Sequence, residues 1–456
     1  MTATTWHAAQ AWLPDGLAED VTLVAEAGRF TLITVGDRTD SAETLGEPIV
    51  ELPGVVLPGF ANAHSHAFHR ALRGRTHGEG GSFWTWRERM YALAARLDLE
   101  SYRALATATY AEMALAGVTA VGEFHYLHHG PEGVYDEPNA MGQVLVEAAS
   151  AAGIRLTLLD TCYLFGGLGP SGHLPLNPVQ QRFSDGDVAR WSRRFALLAD
   201  AFDPTPSGPG SVRVGAAIHS VRAVAVADIP IVVAAARGRP LHVHLSEQPS
   251  ENAACLSYYG VSPTELLDTS GALGPNTTAI HATHLTDDDI SLLGASSTSV
   301  SFCPTTERDL ADGIGPARRL LDAGSHLCLG SDQHAVTDLL EEARSLEMNE
   351  RLASGERGRI NPSQLVTALT LNGQRSIGWV DAGELRVGAR ADLVAVRMDS
   401  PRTAGSLASQ VVMSASADDV DTVIVDGRTV VEGGRHVLGD VGGLLHSSIE
   451  PLWRKP

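Results

Sequence analysis

The alternation of apolar and polar positions divides the chain into stretches of different character. From residue 5 to about 50, short pieces such as Val21-Thr-Leu-Val-Ala and Phe30-Thr-Leu-Ile-Thr-Val lie between Gly and Asp turns, the pattern of antiparallel strands. The same texture returns in Ala391-Asp-Leu-Val-Ala-Val and Val420-Asp-Thr-Val-Ile-Val-Asp-Gly-Arg-Thr-Val-Val. The middle differs. Eight apolar runs, near 54–64, 118–126, 154–163, 212–220, 241–247, 277–284, 297–305 and 326–332, alternate with helix-like segments such as 99–116, 139–152, 316–323 and 362–376. Alternating strands and helices build a parallel sheet, and eight units fit a closed barrel. The expected fold is α/β: a TIM-like (β/α)8 barrel over residues 56–379, with a small β-sandwich domain composed of residues 1–55 and 380–445 from the two ends. Gly166 to Pro178 and Asp203 to Gly210 are rich in Gly and Pro and read as loops, the first a candidate lid.

Composition narrows the classes of partner. With 44% hydrophobic residues in 456, the chain can bury a large core. A formal charge of -20 disfavours nucleic acid and anionic membranes, which reward clustered positive charge. A small anionic substrate remains compatible, because a few arginines can dominate a pocket. No apolar run is long and charge-free enough to span a bilayer, and the start Met1-Thr-Ala-Thr-Thr-Trp lacks the features of a signal peptide. A cytoplasmic homo-oligomer, a dimer, is expected. Cys162, Cys255, Cys303 and Cys328 are widely spaced, which argues against a disulfide framework or a cysteine zinc site. The single lysine is Lys455, so a Schiff base and a carbamylated-lysine bridge between two metals are both excluded. One metal is the simpler expectation.

The candidate chemistry begins at Asn62-Ala-His-Ser-His-Ala-Phe-His69, after an apolar run that reads as a buried strand leading to an exposed end. Residues two apart on a strand share a face, so His64 and His66 present two imidazoles to one point. Alone, such a pair is as readily an ordinary core or surface pair as a metal site. The balance changes at the ends of the other strands: Glu123, His125 and Tyr126; His219 and Arg222; His242, His244 and Glu247; His281 and His284; Thr305, Thr306 and Glu307; Ser331 and Asp332. Three histidines and a carboxylate suit Zn2+ or another borderline divalent ion, and His64, His66, His244 and Asp332 are the assigned set. His242 is the alternative to His244, which is preferred because Glu247 follows three residues on. Asp332 taken alone also suits a helix cap. Trp191 and Trp379 are expected to pack helices, His128 and His129 to face a loop, Asp287-Asp-Asp to begin a solvated helix after Thr286, and Gly78-Glu-Gly-Gly81 to be a flexible connection.

Asn62-Ala-His-Ser-His, His244-Leu-Ser-Glu, His281-Ala-Thr-His, Gly330-Ser-Asp and Gly383-Glu-Leu-Arg-Val-Gly-Ala-Arg-Ala-Asp-Leu-Val resemble motifs of the amidohydrolase superfamily, in its mononuclear deaminase branch. More narrowly, His66-Ala-Phe-His-Arg-Ala, Phe83-Trp-Thr-Trp-Arg-Glu, Glu123-Phe-His-Tyr-Leu-His-His and His219-Ser-Val-Arg-Ala-Val are similar to the formimidoylglutamate deiminases, over roughly residues 50–440. The resemblance implies one divalent metal, most often zinc, on His64, His66, His244 and Asp332. It implies proton handling by Glu247, His281 and Asp332, and carboxylate binding by Arg87, Tyr126, His219 and Arg222. Position 69 departs from the pattern, in which glutamine often follows Ala-Phe, so His69 is a substrate-contact candidate of altered chemistry. Without the resemblance, Arg87 reads as a surface ion pair or a cation stacked on Trp84 or Trp86.

The implied reaction is hydrolytic deamination of N-formimino-L-glutamate in histidine degradation. Asp332 would take the proton of an activated water, Glu247 would protonate the departing nitrogen, and His281 would stabilise the tetrahedral intermediate. Two rivals stand beside it. One keeps the chemistry but acts on a cyclic amidine of purine, pterin or triazine type. The other is a non-catalytic, metal-stabilised binding barrel, which has no need to retain Glu247, His281 and Asp332 together.

Overall fold

The computed structural model describes residues 3–36, 49–78, 80–203 and 210–454. Glu79 of the flexible connection, residues 204–209 of the second loop, Lys455, and residues 1–2 and 37–48 of the β domain lie outside the described residues.

The chain begins with β1 (Thr4–Leu13), β2 (Gly16–Glu26), β3 (Arg29–Val35) and β4 (Ile49–Pro58). The next strands are β5 (Phe60–Ser65), β6 (Val118–His125) and β7 (Arg155–Cys162), and then a short hairpin, β8 (Gly167–Gly169) and β9 (Gly172–Leu174). Five more follow: β10 (Val212–Ile218), β11 (Leu241–Leu245), β12 (Thr277–His281), β13 (Ser299–Phe302) and β14 (Leu327–Leu329). Near the C-terminus come β15 (Leu393–Val396), β16 (Val420–Val425), β17 (Arg428–Glu432) and β18 (Arg435–His436). Eight strands form the barrel sheet in the order β14-β13-β12-β11-β10-β7-β6-β5, paired in parallel. No helix among the described residues is long and apolar enough to cross a membrane.

The barrel closes between its first and last strands by a parallel bridge of Ser65 to Asp332. The Asp332 N–H donates to the His64 carbonyl at 3.0 Å and the His66 N–H to the Asp332 carbonyl at 3.1 Å. Just below, Asn62 Oδ1 accepts from the Ser331 N–H at 2.9 Å and Asn62 Nδ2 donates to Ser331 Oγ at 2.7 Å. The seam of the barrel therefore runs through the candidate metal residues.

The apolar run read as one strand over 54–64 is two strands in two sheets. β4 belongs to the sheet β18-β17-β16-β15-β4-β1-β2-β3, which joins both ends of the chain. β5 belongs to the barrel. The turn falls at Gly59, where a Cβ would stand 2.4 Å from Thr119 Oγ1 and 2.8 Å from Asp392 Cβ, so only glycine lets the chain pass from one sheet to the other. Hydrophobicity does not mark the break because residues on both sides of it are buried. Along β4 the pleat sends Leu52 and Val56 into a small core with Trp6, Leu23 and Phe30, while Val55 and Leu57 join the main core.

The end of the barrel away from the histidines is held by charge. Arg155 on β7 is fully buried and pairs with Asp392 just before β15, at 2.8 Å from Nη1 to Oδ1, and with Asp426 at 3.3 Å. Trp379 does more than pack helices. Its ring lies under the guanidinium groups of Arg155, Arg213 and Arg390 at 4.9, 4.4 and 4.8 Å, its Nε1–H donates to Thr157 Oγ1 at 3.0 Å, and it packs with Ala61, Ala63 and Ala120. The small alanines make room for an indole that fills the barrel floor. Trp191 stacks on Phe195 and donates to Asp160 at 2.8 Å. Thr286 caps its helix as expected, but Asp289 of the acidic run is buried, not solvated.

Truncating one partner of a buried ion pair leaves the other charge uncompensated. Asp392→Ala is expected to lower unfolding stability by about 3–5 kcal/mol, read from the urea midpoint by circular dichroism. A loss of under about 1 kcal/mol would show that Asp426 alone compensates Arg155.

Candidate active site

At the C-terminal ends of β5, β11 and β14 the structure brings His64, His66, His244 and Asp332 together. The Nε2 atoms of His64 and His66 each lie 3.4 Å from Asp332 Oδ1, and His244 Nε2 lies 3.2 Å from His64 Nε2. Far from forming an exposed end, these side chains are buried. His66 Nδ1–H donates to the Phe124 carbonyl at 2.9 Å and His244 Nδ1–H to the His219 carbonyl at 3.0 Å. Since a carbonyl only accepts, those protons sit on Nδ1 and the Nε2 lone pairs face the centre. Burial lowers the His64 pKa to about 3 and depresses those of His66 and His244 as well, so the imidazoles are neutral. Burial alone would raise Asp332, but His64, His281 and His66 outweigh it and keep the carboxylate ionised. Converging lone pairs and one carboxylate in a buried site fit a divalent cation.

His242 is no part of this cluster. It sits one layer deeper in the barrel and its Nε2 pairs with the Ser376 carbonyl at 3.0 Å. The strand ends at the site also carry non-glycine residues in the left-handed region: Ser246 at φ 49°, His281 at 69°, Ala282 at 49° and Asp332 at 44°. Such conformations persist where surrounding contacts over-determine them, as at functional sites.

Beside the cluster lie the proton-handling candidates. His281 Nε2 is 3.8 Å from Glu247 Oε1 and 3.8 Å from Asp332 Oδ2, and its Nδ1 is 3.4 Å from Glu307 Oε1. Burial would lower the His281 pKa, but the carboxylates of Glu247, Glu307 and Asp332 carry it up to about 10. Burial raises Glu247 against the pull of His281 and Arg222. Thr305, Thr306 and Glu307 do not end a strand but form the first turns of the helix Pro304–Asp309, from which Glu307 orients His281. Only the Pro in Cys303-Pro-Thr-Thr signalled that helix start.

Glu123 is a brace: it accepts from the Ala67 N–H and from Ser65 Oγ, both at 2.7 Å, and burial pushes its pKa up to about 7. His125 turns away from the centre into a second buried group with His128 and Asp160. His128 and His129 lie in the loop after β6, where both are buried. His128 Nε2–H donates to the Thr161 carbonyl at 2.8 Å, and His129 Nε2 is 3.4 Å from Asp185. Their partners arrive from distant parts of the chain, with Arg194 bridging Asp160 and Asp185. His284 points to the Asp312 carbonyl at 2.7 Å.

Above the cluster opens a cavity of about 280 Å³, lined by His66, His69, Arg87, Tyr126, His219, Arg222, His244, Glu247, His281 and Asp332. His69 Nε2 is 2.8 Å from Tyr126 Oη. Arg87, on the helix Phe83–Ala94, stacks 4.4 Å from the Trp84 ring and 5.5 Å from that of Tyr91, so the stacked reading and the cavity-facing reading both hold. Arg222 lies with Nη2 3.8 Å from Glu247 and Nε 2.9 Å from Glu251. The hairpin β8–β9 covers one side through Gly167, Leu168 and Leu174, where sequence suggested an irregular loop. Tyr91, Tyr163 and Glu251 went unrecognised, because nothing local distinguishes them from core aromatics or surface acids.

The sequence pattern of the Amidohydrolase family matches residues 55–430. This chain belongs to the amidohydrolase family. It is 36% identical over 445 residues to formimidoylglutamate deiminase of Pseudomonas aeruginosa, covering 94% of this chain and 95% of that one. It is 30% identical over 416 residues, 90% of each chain, to 8-oxoguanine deaminase of the same organism. Among solved structures, an amidohydrolase from Brucella melitensis superposes with TM-score 0.89 at 32% identity, covering 99% of this chain and 100% of that one. An adenosine deaminase from Xanthomonas campestris with bound zinc gives TM-score 0.84 at 22% identity, covering 98% and 97%.

If the cluster holds the metal, His64→Ala, His244→Ala and Asp332→Ala should each weaken metal binding by at least about 100-fold. His242→Ala should leave it near the parent value. Elemental analysis after dialysis against a competing chelator separates the two classes, and parent-like retention in Asp332→Ala would refute the assignment.

Proposed function

We propose that this amidohydrolase is an iminohydrolase converting N-formimino-L-glutamate to N-formyl-L-glutamate and ammonia, a step of histidine degradation. The observation that carries the reading is the placing of two arginines, Arg87 and Arg222, on the same cavity as the candidate metal cluster and the Glu247–His281 pair. Such a site suits a short linear molecule whose anionic groups lie a few bonds from the reacting carbon. The similarity to an enzyme named formimidoylglutamate deiminase supports the same substrate. The barrel, residues 56–379, is taken as the catalytic unit, with residues 1–55 and 380–445 as the composite β domain. The setting of the reading is a cytoplasmic homodimer acting on a small anion.

His64, His66, His244 and Asp332 would hold one divalent metal, zinc by the donor set. When bound, the ion would supply Lewis acidity, making a water in the site easier to deprotonate near neutral pH. Asp332, kept ionised by its histidines, accepts the water's proton on a carboxylate oxygen. His281, kept cationic beside the carboxylates of Glu307 and Asp332, stabilises the charge that develops when oxygen adds to the formimino carbon. Glu247, raised by burial, gives a proton to the imino nitrogen, and the proton taken up by Asp332 passes to the same nitrogen; as the hydroxyl of the tetrahedral intermediate returns its proton to Glu247, the carbon–nitrogen bond breaks and ammonia leaves. Arg87 and Arg222, with Tyr126, His219 and His69, hold the carboxylates; the planar guanidinium fork matches a carboxylate edge.

The zinc-loaded protein should release ammonia from N-formimino-L-glutamate with N-formylglutamate as co-product. Glu247→Gln should lower kcat by about 10²–10⁴-fold. Arg222→Met should cost at least about 100-fold in kcat/KM toward this substrate, and far less toward a neutral ring. Turnover of a purine or triazine by a metal-loaded sample that leaves the formimino acid untouched would move the assignment to the cyclic-amidine deaminases.

A further inference from the structure

One wall of the cavity takes no part in the chemistry above. Gln180, in the turn Gln180–Phe183, is buried. Its Oε1 accepts from the Asn177 N–H at 2.9 Å. A backbone N–H can only donate, so the amide's orientation is fixed and its NH2 points the other way. There Nε2 lies 2.9 Å from Tyr91 Oη, 2.8 Å from Tyr163 Oη and 3.2 Å from the Gly166 carbonyl. An NH2 has no lone pair to offer, so neither phenol can donate to it and each keeps its own proton to give, while the two N–H bonds are shared among three acceptors. The two hydroxyls neighbour each other, so at most one of the two protons is spent between them.

Both tyrosines line the cavity, and burial pushes the Tyr163 hydroxyl well above its ordinary pKa, so the phenol stays protonated. The surroundings are cationic: Arg222 shares the cavity, and the Arg87 guanidinium lies 5.5 Å from the Tyr91 ring. Arg222 turns its Nε toward Glu251, which leaves its Nη atoms to meet a ligand. A carboxylate has about four lone-pair directions, more than one guanidinium edge fills. Neutral O–H donors beside that edge suit the rest.

We propose that Gln180 is a positioning residue that turns a phenol proton of Tyr91 or Tyr163 into the cavity, where it completes the binding of a substrate carboxylate beside Arg222. This rests on the formimino-dicarboxylate reading above and extends it to residues beside the two arginines. The same side chain ties down both ends of the hairpin β8–β9, through the Gly166 carbonyl and the Asn177 N–H, so the covering hairpin and the donor pair share one fastening.

Gln180→Glu keeps the shape but replaces a donor with an acceptor. Both phenols would then donate to position 180 and turn their protons from the cavity. KM for N-formimino-L-glutamate should rise at least about tenfold, with kcat changed less than about threefold. A new negative charge could raise KM by repulsion alone, so the decisive measurement is a cycle. In a Tyr91→Phe/Tyr163→Phe background, Gln180→Glu should cost less than about twofold further. A full tenfold cost there would mean that residue 180 acts by charge or packing, and would overturn the proposal. Should Gln180→Glu not fold, the paired Phe variant decides by itself: parent-like KM overturns the proposal while leaving the iminohydrolase reading intact. Absence of turnover in the metal-loaded parent, by contrast, removes both.

Discussion

Asp332 is the residue on which both the barrel and its chemistry depend. Its main chain stitches the last strand to the first through the His64 carbonyl and the His66 N–H, while its side chain faces the imidazoles of those same two residues. Closing the barrel and assembling the cluster are thus one event. The left-handed φ of Asp332 follows from this double duty: the carboxylate must turn inward while the backbone still reaches across the seam. A non-glycine residue holds that conformation only where its neighbours leave no alternative.

The two ends of the barrel answer the same problem, charge buried away from water, in different ways. At the floor, Arg155 is neutralised at short range by Asp392 and Asp426 and covered by the Trp379 ring, a fully compensated arrangement that locks the barrel to the terminal sheet. At the mouth, compensation is left incomplete. His64 and His244 present nitrogen to nitrogen, and the carboxylates around His281 share a single cation. Buried polar groups without full partners are costly, and the mouth's donor set is one that suits a divalent cation. The contrast separates a structural ion cluster from a reactive one.

Much of this was legible before the coordinates. The period of apolar runs gave the barrel, and the placing of His, Glu and Asp at the ends of those runs gave the residues the cavity gathers, because strand-end position and side-chain type are both local properties. What was hidden depended on distant partners. Gly59 divides one apolar run into two strands because of Thr119 and Asp392, neither near it in sequence. His128 and His129 are loop residues whose burial has no local signal, because Asp185 and Arg194, which pair or crowd them, lie far along the chain. Glu307 is legible as a strand-end candidate but not as a helix residue, because its helix begins where the apolar pattern reads as strand. Tyr163 and Gln180 carry no signal at all until folding sets them side by side.

This division has a consequence for specificity. The candidate cation and proton groups come from strand ends, fixed by the barrel's own hydrogen bonds. Much of the facing wall of the cavity comes from segments between strands: the helix Phe83–Ala94 with Arg87 and Tyr91, the hairpin β8–β9, and the turn that carries Gln180. Strand-end groups cannot move without unmaking the barrel, whereas segments between strands can change shape and charge without touching it. In this chain the wall is aromatic and doubly cationic, and Glu251 tempers one of its two arginines. A wall of that kind suits a ligand that is small and anionic at the end remote from the metal.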